Sequence, residues 1–176
     1  MKRAIFILLL SLGGCSPYTI NADYDLKADF STYRTWSWFS GPRPSGPSLD
    51  GLTEGRIRDA IEHELPLRGL KKVEDGKADL LAAFHLSIVQ RLEVTPTTVH
   101  YGYGWGHGYV GATYGNEVRS YDEGTLIIDL IDLKSGNLVW RGIARGTVYR
   151  SSGPEEREAR IQAAVGGILD QYPPVR

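Results

Sequence analysis

Five residues carry the side chains that a transition metal would choose: His85, His100, His107, Glu117 and Asp122. Imidazole and carboxylate groups together can hold zinc or copper. Two of the histidines bracket the most unusual stretch of the chain, HYGYGWGHGY at residues 100–109. Seven is an odd spacing, so an extended strand would put His100 and His107 on opposite faces. Only a turn between them would bring them together. The spacing favours solvated histidines, and no metal or other cofactor is expected. Asp129 and Asp132 are the other candidate chemistry, a carboxylate pair for acid–base work. A separation of three places them on opposite faces of a regular strand, so turn formation and strand-end solvation account for them better.

One motif match is formal only. Gly106, Gly108 and Gly111 fit GxGxxG, but a dinucleotide site needs a helix immediately afterwards, and Ala112–Asn116 has no helical pattern. HELPL from His63 lacks the second histidine of HExxH. The chain also has no GxSxG nucleophile elbow. No catalytic constellation emerges, and an enzyme is not expected. The formal charge of −1 gives no basic footprint for nucleic acid.

Cys15 is the only cysteine, and its setting is specific. Lys2 and Arg3 precede an apolar run, Ala4–Leu12, broken only by Ser11. Such a run reaches roughly 14 Å, about half a bilayer core, and reads as a signal-peptide core. Leu12-Gly13-Gly14-Cys15 then resembles the lipobox of bacterial lipoproteins. That resemblance implies cleavage before Cys15 and lipid on its thiol. The mature domain would then have neither disulfide nor free thiol, which excludes thiolate chemistry. Removing Lys2 and Arg3 leaves 18 basic against 21 acidic residues, a formal charge of −3. Acyl chains, not basic residues, would have to do the anchoring. Ser16 in place of aspartate implies export to the outer membrane, on its periplasmic face. Only Ser16 and Pro17 separate the lipid from Tyr18, a reach of roughly 7 Å, so the domain would sit against the membrane.

The expected organisation is a signal peptide at 1–14, a lipidated cysteine and tether at 15–17, and one domain at 18–176. Strands are predicted at Tyr18–Asp25 and Tyr33–Phe39, followed by a Pro/Gly/Ser loop at 40–48. Ile57, Ile61 and Leu65 recur every four residues and predict a helix ended by Pro66. Ala78–Val94 predicts a long strand stopped by Pro96. Thr125–Leu133 and Leu138–Tyr149 predict a hairpin around Gly136. A last helix runs from a Ser152 cap, with Pro154 in its first turn, along an apolar face of Ile161, Ala164, Val165, Ile168 and Tyr172. The sum is an α+β two-layer sandwich. Its mostly antiparallel sheet has about five strands, with two helices on one face. Trp36, Trp38 and Trp140 are expected in its core.

DYDLKADFSTYRTWSW, ADLLAAFH, GTLIIDLIDLKSGNLVWRG and the closing ILDQYPP resemble the bacterial lipoproteins of domain-of-unknown-function family 4136. GTLIIDLIDLKSGNLVWRG is the most specific segment. The resemblance covers nearly all of the mature chain and implies an envelope lipoprotein of unestablished activity, with no catalytic residues to carry over.

The glycine–aromatic stretch is what the resemblance says least about. If extended, Tyr101, Tyr103, Trp105, His107 and Tyr109 share one face and leave bare glycine on the other. These five are the candidate contact residues, because amphipathic rings suit a half-wet surface. Alternating glycines oppose ordering, so the plainer expectation is a loop of about 20 residues joining two strands. The functional expectation is a lipid-anchored, non-enzymatic envelope protein that contacts an unknown envelope partner. The alternative is a small-ligand, glycan or metal binder using residues 100–115.

Overall fold

Gly136 makes the turn that the sequence calls for. Its φ is +70°, and its N–H donates to the Asp132 carbonyl at 2.9 Å. Around it the chain doubles back and builds the centre of the sheet. The computed structural model describes residues 18–41, 50–74, 76–101, 111–149 and 151–174, backbone only at 97–101 and 111–114.

The strands are β1 (Thr19–Tyr24), β2 (Thr35–Trp38), β3 (Lys71–Lys72), β4 (Leu80–Tyr101), β5 (Gly111–Asp132) and β6 (Leu138–Val148). The helices are α1 (Gly51–Leu67) and α2 (Pro154–Leu169). Sheet order is β1-β6-β5-β4-β2-β3. Pairing is antiparallel from β1 through β4, while β2 lies parallel to both β4 and β3. The α+β two-layer expectation is met. The sheet gains a sixth strand, β3, whose two residues are too few to leave a periodic signature, and it is mixed.

Both helices cover one face. Ile57, Ala60, Ile61 and Leu65 of α1 are buried, as are Ala164, Val165, Ile168 and Leu169 of α2. They meet Trp36, Leu80, Ala82, Leu126, Ile128, Leu130, Trp140 and Ala144 from the sheet. Trp36 and Trp140 are fully buried, and Trp38 is partly buried against them. Trp38 keeps its indole N–H at the surface, donating to Glu62 at 2.9 Å. An irregularity in the β5–β6 register between Leu130 and Ile131 makes Val139 an extra residue of β6. Such a bulge lets two successive residues, Val139 and Trp140, both reach the interior.

Two helix boundaries differ from expectation. Pro66 does not end α1, because in the last turn its missing N–H costs only one helical bond. The stop comes at Arg68–Gly69. Gly69 has φ +82°, its N–H donates to Pro66, and that of Leu70 donates to Leu65. This is the Schellman arrangement, with Leu65 and Leu70 both buried beneath it. Ser152 does not cap α2. Gly153 holds the cap position and Pro154 follows it.

The larger departure is at β4 and β5. Pro96 does not stop β4, which runs through it to Tyr101 in unbroken register with β5. The Ala82 carbonyl accepts from Phe39 on the β2 side of β4. Strand groups alternate sides every residue, so position 96, fourteen residues on, points to the same outer edge. The proline nitrogen therefore faces that edge, and no bond to β5 is lost. The expected 20-residue connector is corrected too. Residues 100, 101 and 111–115 are paired strand, and only 102–110 are left outside the described residues.

Candidate functional site

β2 reaches β4 only at Leu80–Ala82, and β6 reaches β5 only as far as Asp122. Beyond that, residues 91–101 and 111–121 pair with each other alone among the described residues. At about 3.3 Å per residue they form a two-stranded arm roughly 35 Å long.

The arm is two-faced. Even-numbered positions continue the helix side of the sheet. There Leu92 stands opposite Ser120, Val94 opposite Val118 and Pro96 opposite Asn116. Leu92 is 70% exposed, Val94 55% and Val118 59%. Odd-numbered positions carry the charges. Arg91 pairs with Glu123 at 3.2 Å, and Arg119 with Glu117 at 2.9 Å. Alternation of apolar and ionic residues ordinarily marks a strand with one covered face.

At the base of the arm the helix layer stops. Arg68 binds the C-terminal ends of both helices, so their N-termini lie at the opposite end, near the arm. They flank an open hollow of about 630 Å³. Ile57, Leu86, Ile88, Leu126, Ile161 and Ala164 give it apolar walls, while Asp50, Asp122, Arg157 and Arg160 supply charge. Gly124 and Gly146, directly opposite each other in register, make part of its floor. Arg160 binds Glu156 at 2.6 Å and stacks over Tyr149 at 4.3 Å. The Glu156 carboxylate is held low by the Arg160 side chain. Tyr18 donates to the Arg160 carbonyl at 3.1 Å, and burial pushes its phenol up. These charges are balanced, and the hollow presents no excess of either sign. Sequence reasoning missed it. Gly124 and Gly146 were the available signal, since glycine inside a strand often marks a close approach or an emptied position.

The candidate metal ligands whose side chains are described, His85, Glu117 and Asp122, do not gather, and His100 is described only as backbone paired with Ala112. His85 pairs with Ile127 on the odd-numbered face, whereas Asp122 is buried on the helix side. Glu117 is ten residues along β5 from the partner of His85. Among the described residues, no three His, Cys, Asp or Glu side chains are grouped closely enough to hold a metal ion. Asp129 and Asp132 serve different neighbours. Asp129 accepts two bonds from Arg141, at 2.7 and 2.8 Å. Asp132 accepts from the Ser135 N–H at 2.7 Å and the Tyr33 hydroxyl at 3.1 Å. The Ser135 N–H is the main reason its carboxyl is held low. Burial and the bond to Asp132 push the Tyr33 phenol up to about 12. Cys15, Tyr103, Trp105, His107 and Tyr109 lie outside the described residues, and Tyr101 is described only as backbone paired with Gly111. No helix among the described residues is long and apolar enough to cross a membrane.

Known proteins offer a fold more than a function. A PDZ domain protein from Parabacteroides distasonis matches with a TM-score of 0.55 at 20% identity. The match covers 92% of this chain but 36% of that one, so the chain spans about a third of that protein. A PelC dodecamer from Paraburkholderia phytofirmans matches at a TM-score of 0.46 and 10% identity, covering 86% of this chain and 94% of that one. No curated protein matches the chain. The family model described as Domain of unknown function (DUF4136) matches residues 20–174, from within β1 to the segment after α2, and the chain belongs to that family.

Proposed function

We propose that this chain is a lipid-anchored protein of the bacterial cell envelope, held to the periplasmic face of the outer membrane through Cys15. Its role is contact and not catalysis, and the arm is the contact element. One observation carries the anchor: Leu12-Gly13-Gly14-Cys15 directly behind the apolar run Ala4–Leu12. Tyr18 is bonded to α2 at the hollow's edge, so a lipid three residues away would hold that end of the domain against the bilayer. The arm supports the contact role, because a two-stranded ribbon with exposed Leu92, Val94 and Val118 has little folding purpose of its own.

The test is fractionation. The full chain and its Cys15→Ala variant are expressed in a Gram-negative host, and membranes are separated by density. The wild type is expected in the outer-membrane fraction and the variant in soluble periplasm or as uncleaved precursor. Equal membrane partitioning of the two would remove the lipid-anchor reading.

A further inference from the structure

We infer that the outer edge of β1 takes up an extended peptide segment of a partner protein as a further strand of the sheet, one that alternates apolar and basic residues. The inference goes beyond the contact role given to the arm and rests on neither the arm nor the lipid.

β1 stands at one end of the sheet. The Asp25 N–H donates to the Val139 carbonyl, and Tyr24 lies opposite Trp140. Residues 25 and 139 are therefore a hydrogen-bonded pair, and every second pair along the ladder is the same. Thr19, Asn21 and Asp23 turn their backbone groups to β6, while Ile20, Ala22 and Tyr24 turn theirs outward. The outward N–H of Tyr24 is held by the Asp23 carboxylate at 2.9 Å. The outward groups of Ile20 and Ala22 have no partner among the described residues. Donors and acceptors spaced along an extended backbone are matched by another extended backbone, so the chemistry of the edge names a polypeptide.

The chain guards its other edges. β3, at the far end of the sheet, is two residues long and both are lysine. Pro96 interrupts the outer edge of β4 in the arm. The β5 edge of the arm lies beyond the helix layer. β1 has six paired residues and neither proline nor lysine, the usual guards of an edge.

α2 runs beside this open edge. A Cβ on Gly167 would come within 2.4 Å of Ile20 Cδ1, so helix and strand touch there. Ala159 and Ala163 precede Gly167 at intervals of four, on the same helix face, and both are exposed. With Tyr18, Thr147, Tyr149 and Arg160 they line an open hollow of about 480 Å³. Directly opposed residues of paired strands share a face. Side chains of an added strand opposite Ile20 and Ala22 therefore lie on the helix side, beside small apolar residues. Those opposite Asn21 and Asp23 lie on the other face, where Asp23 favours lysine or arginine. A second copy fits less well. Two β1 strands paired about Ala22 set Asn21 against Asp23 and bring no basic residue opposite either carboxylate.

Peptide selection tests this. The full-length chain in detergent is panned against a phage-displayed library of random twelve-residue peptides. Ala22→Pro is the comparison, because it removes an outward N–H and no bond to β6; its thermal midpoint should stay within a few degrees. Selected peptides are expected to alternate apolar and basic residues and to bind Ala22→Pro at least tenfold more weakly. Adding one should slow hydrogen exchange at the Ile20 and Ala22 amides. Asp23→Lys should turn the selection towards acidic peptides, and decides together with exchange if Ala22→Pro fails to fold. Four results would overturn the proposal. They are no peptide enriched on the wild type, equal binding to Ala22→Pro, Ile20 and Ala22 amides already slow without peptide, or a wild-type dimer that Ala22→Pro dissolves. The third would give the edge to a segment of this chain and the fourth to a second copy. Cys15 fractionation reads none of these outcomes, so either reading can fail alone.

Discussion

The guanidinium of Arg68, one residue past α1, donates through Nε to the Leu169 carbonyl at 2.7 Å, the last residue of α2. It also binds the Glu64 carbonyl at 2.9 Å, the Glu64 carboxylate and the Asp170 carboxylate. One cation thus closes the negative ends of two parallel helices, where helix dipoles favour it. Arg68 is nearly buried, so its removal leaves several acceptors without a donor. Arg68→Ala is expected to cost about 2–4 kcal/mol by chemical denaturation. Arg68→Lys should recover less than half, because a point charge cannot fork between the helices.

Trp140 is fully buried and meets Tyr172 edge to face at 5.7 Å. Trp140→Ala is expected to cost about 3–5 kcal/mol. Its indole N–H has no hydrogen-bond partner among the described residues. Trp140→Phe therefore loses volume but no hydrogen bond, and should cost about 1–2 kcal/mol. Similar losses in urea midpoint for the two variants would mean the N–H is used.

Two glycines should respond oppositely to alanine. A Cβ on Gly142 would come within 2.4 Å of Ile168 Cγ2 and of the Trp140 ring, where α2 packs on β6. Gly142→Ala should destabilise by about 1–3 kcal/mol. A Cβ on Gly55, inside α1, meets nothing within 4 Å. Gly55→Ala should stabilise by about 0.5–1 kcal/mol through reduced unfolded-state entropy. Calorimetric midpoints moving in the same direction would refute this packing.

Asp79 ties the start of β2 to the start of β4. The Arg34 N–H at 3.0 Å, then the Thr35 hydroxyl at 2.8 Å and its N–H at 3.0 Å, hold the carboxyl below the usual range. A carboxyl lowered in the folded state binds fewer protons than in the unfolded chain. Its stabilisation is thus complete above the unfolded value, near pH 4, and is lost as pH falls through the folded value. Stability measured from pH 6 down to pH 2 should fall, and Asp79→Asn should flatten that fall. Parallel curves for the two proteins would exclude Asp79 as a source.

Replacing residues 92–120 by a two-residue turn should leave the thermal midpoint within a few degrees. The core residues of β4 and β5 end at Leu86 and Leu126, and closing a shorter loop changes entropy little. A collapse in stability would show that the arm is folded into the domain's own core.

The core could be read from residue order because its signals are local. Every fourth residue of α1 is apolar, and the turn at Gly136 lies between two alternating runs. The arm could not, because its decisive fact is a direction. Whether Pro96 breaks a strand depends on which neighbour its nitrogen faces, and that depends on β2 ending at Trp38. The hollow left only the two strand glycines, Gly124 and Gly146, as a signal, since it arises where two helices far apart in the chain both begin. β3 escaped notice because two lysines gain their place only from Thr35 and Trp36 beside them.

The sheet order also sets a timetable. β4 and β5 are neighbours in the chain and can pair as soon as both are made. β1, the first of the described strands to be synthesised, pairs among the described residues only with β6, the last. Throughout biogenesis, then, the earliest strand waits with both edges unpaired while the long hairpin is already formed. A chaperone acting on the nascent chain would find its target in Thr19–Tyr24, and chains truncated before Leu138 would leave that strand permanently exposed.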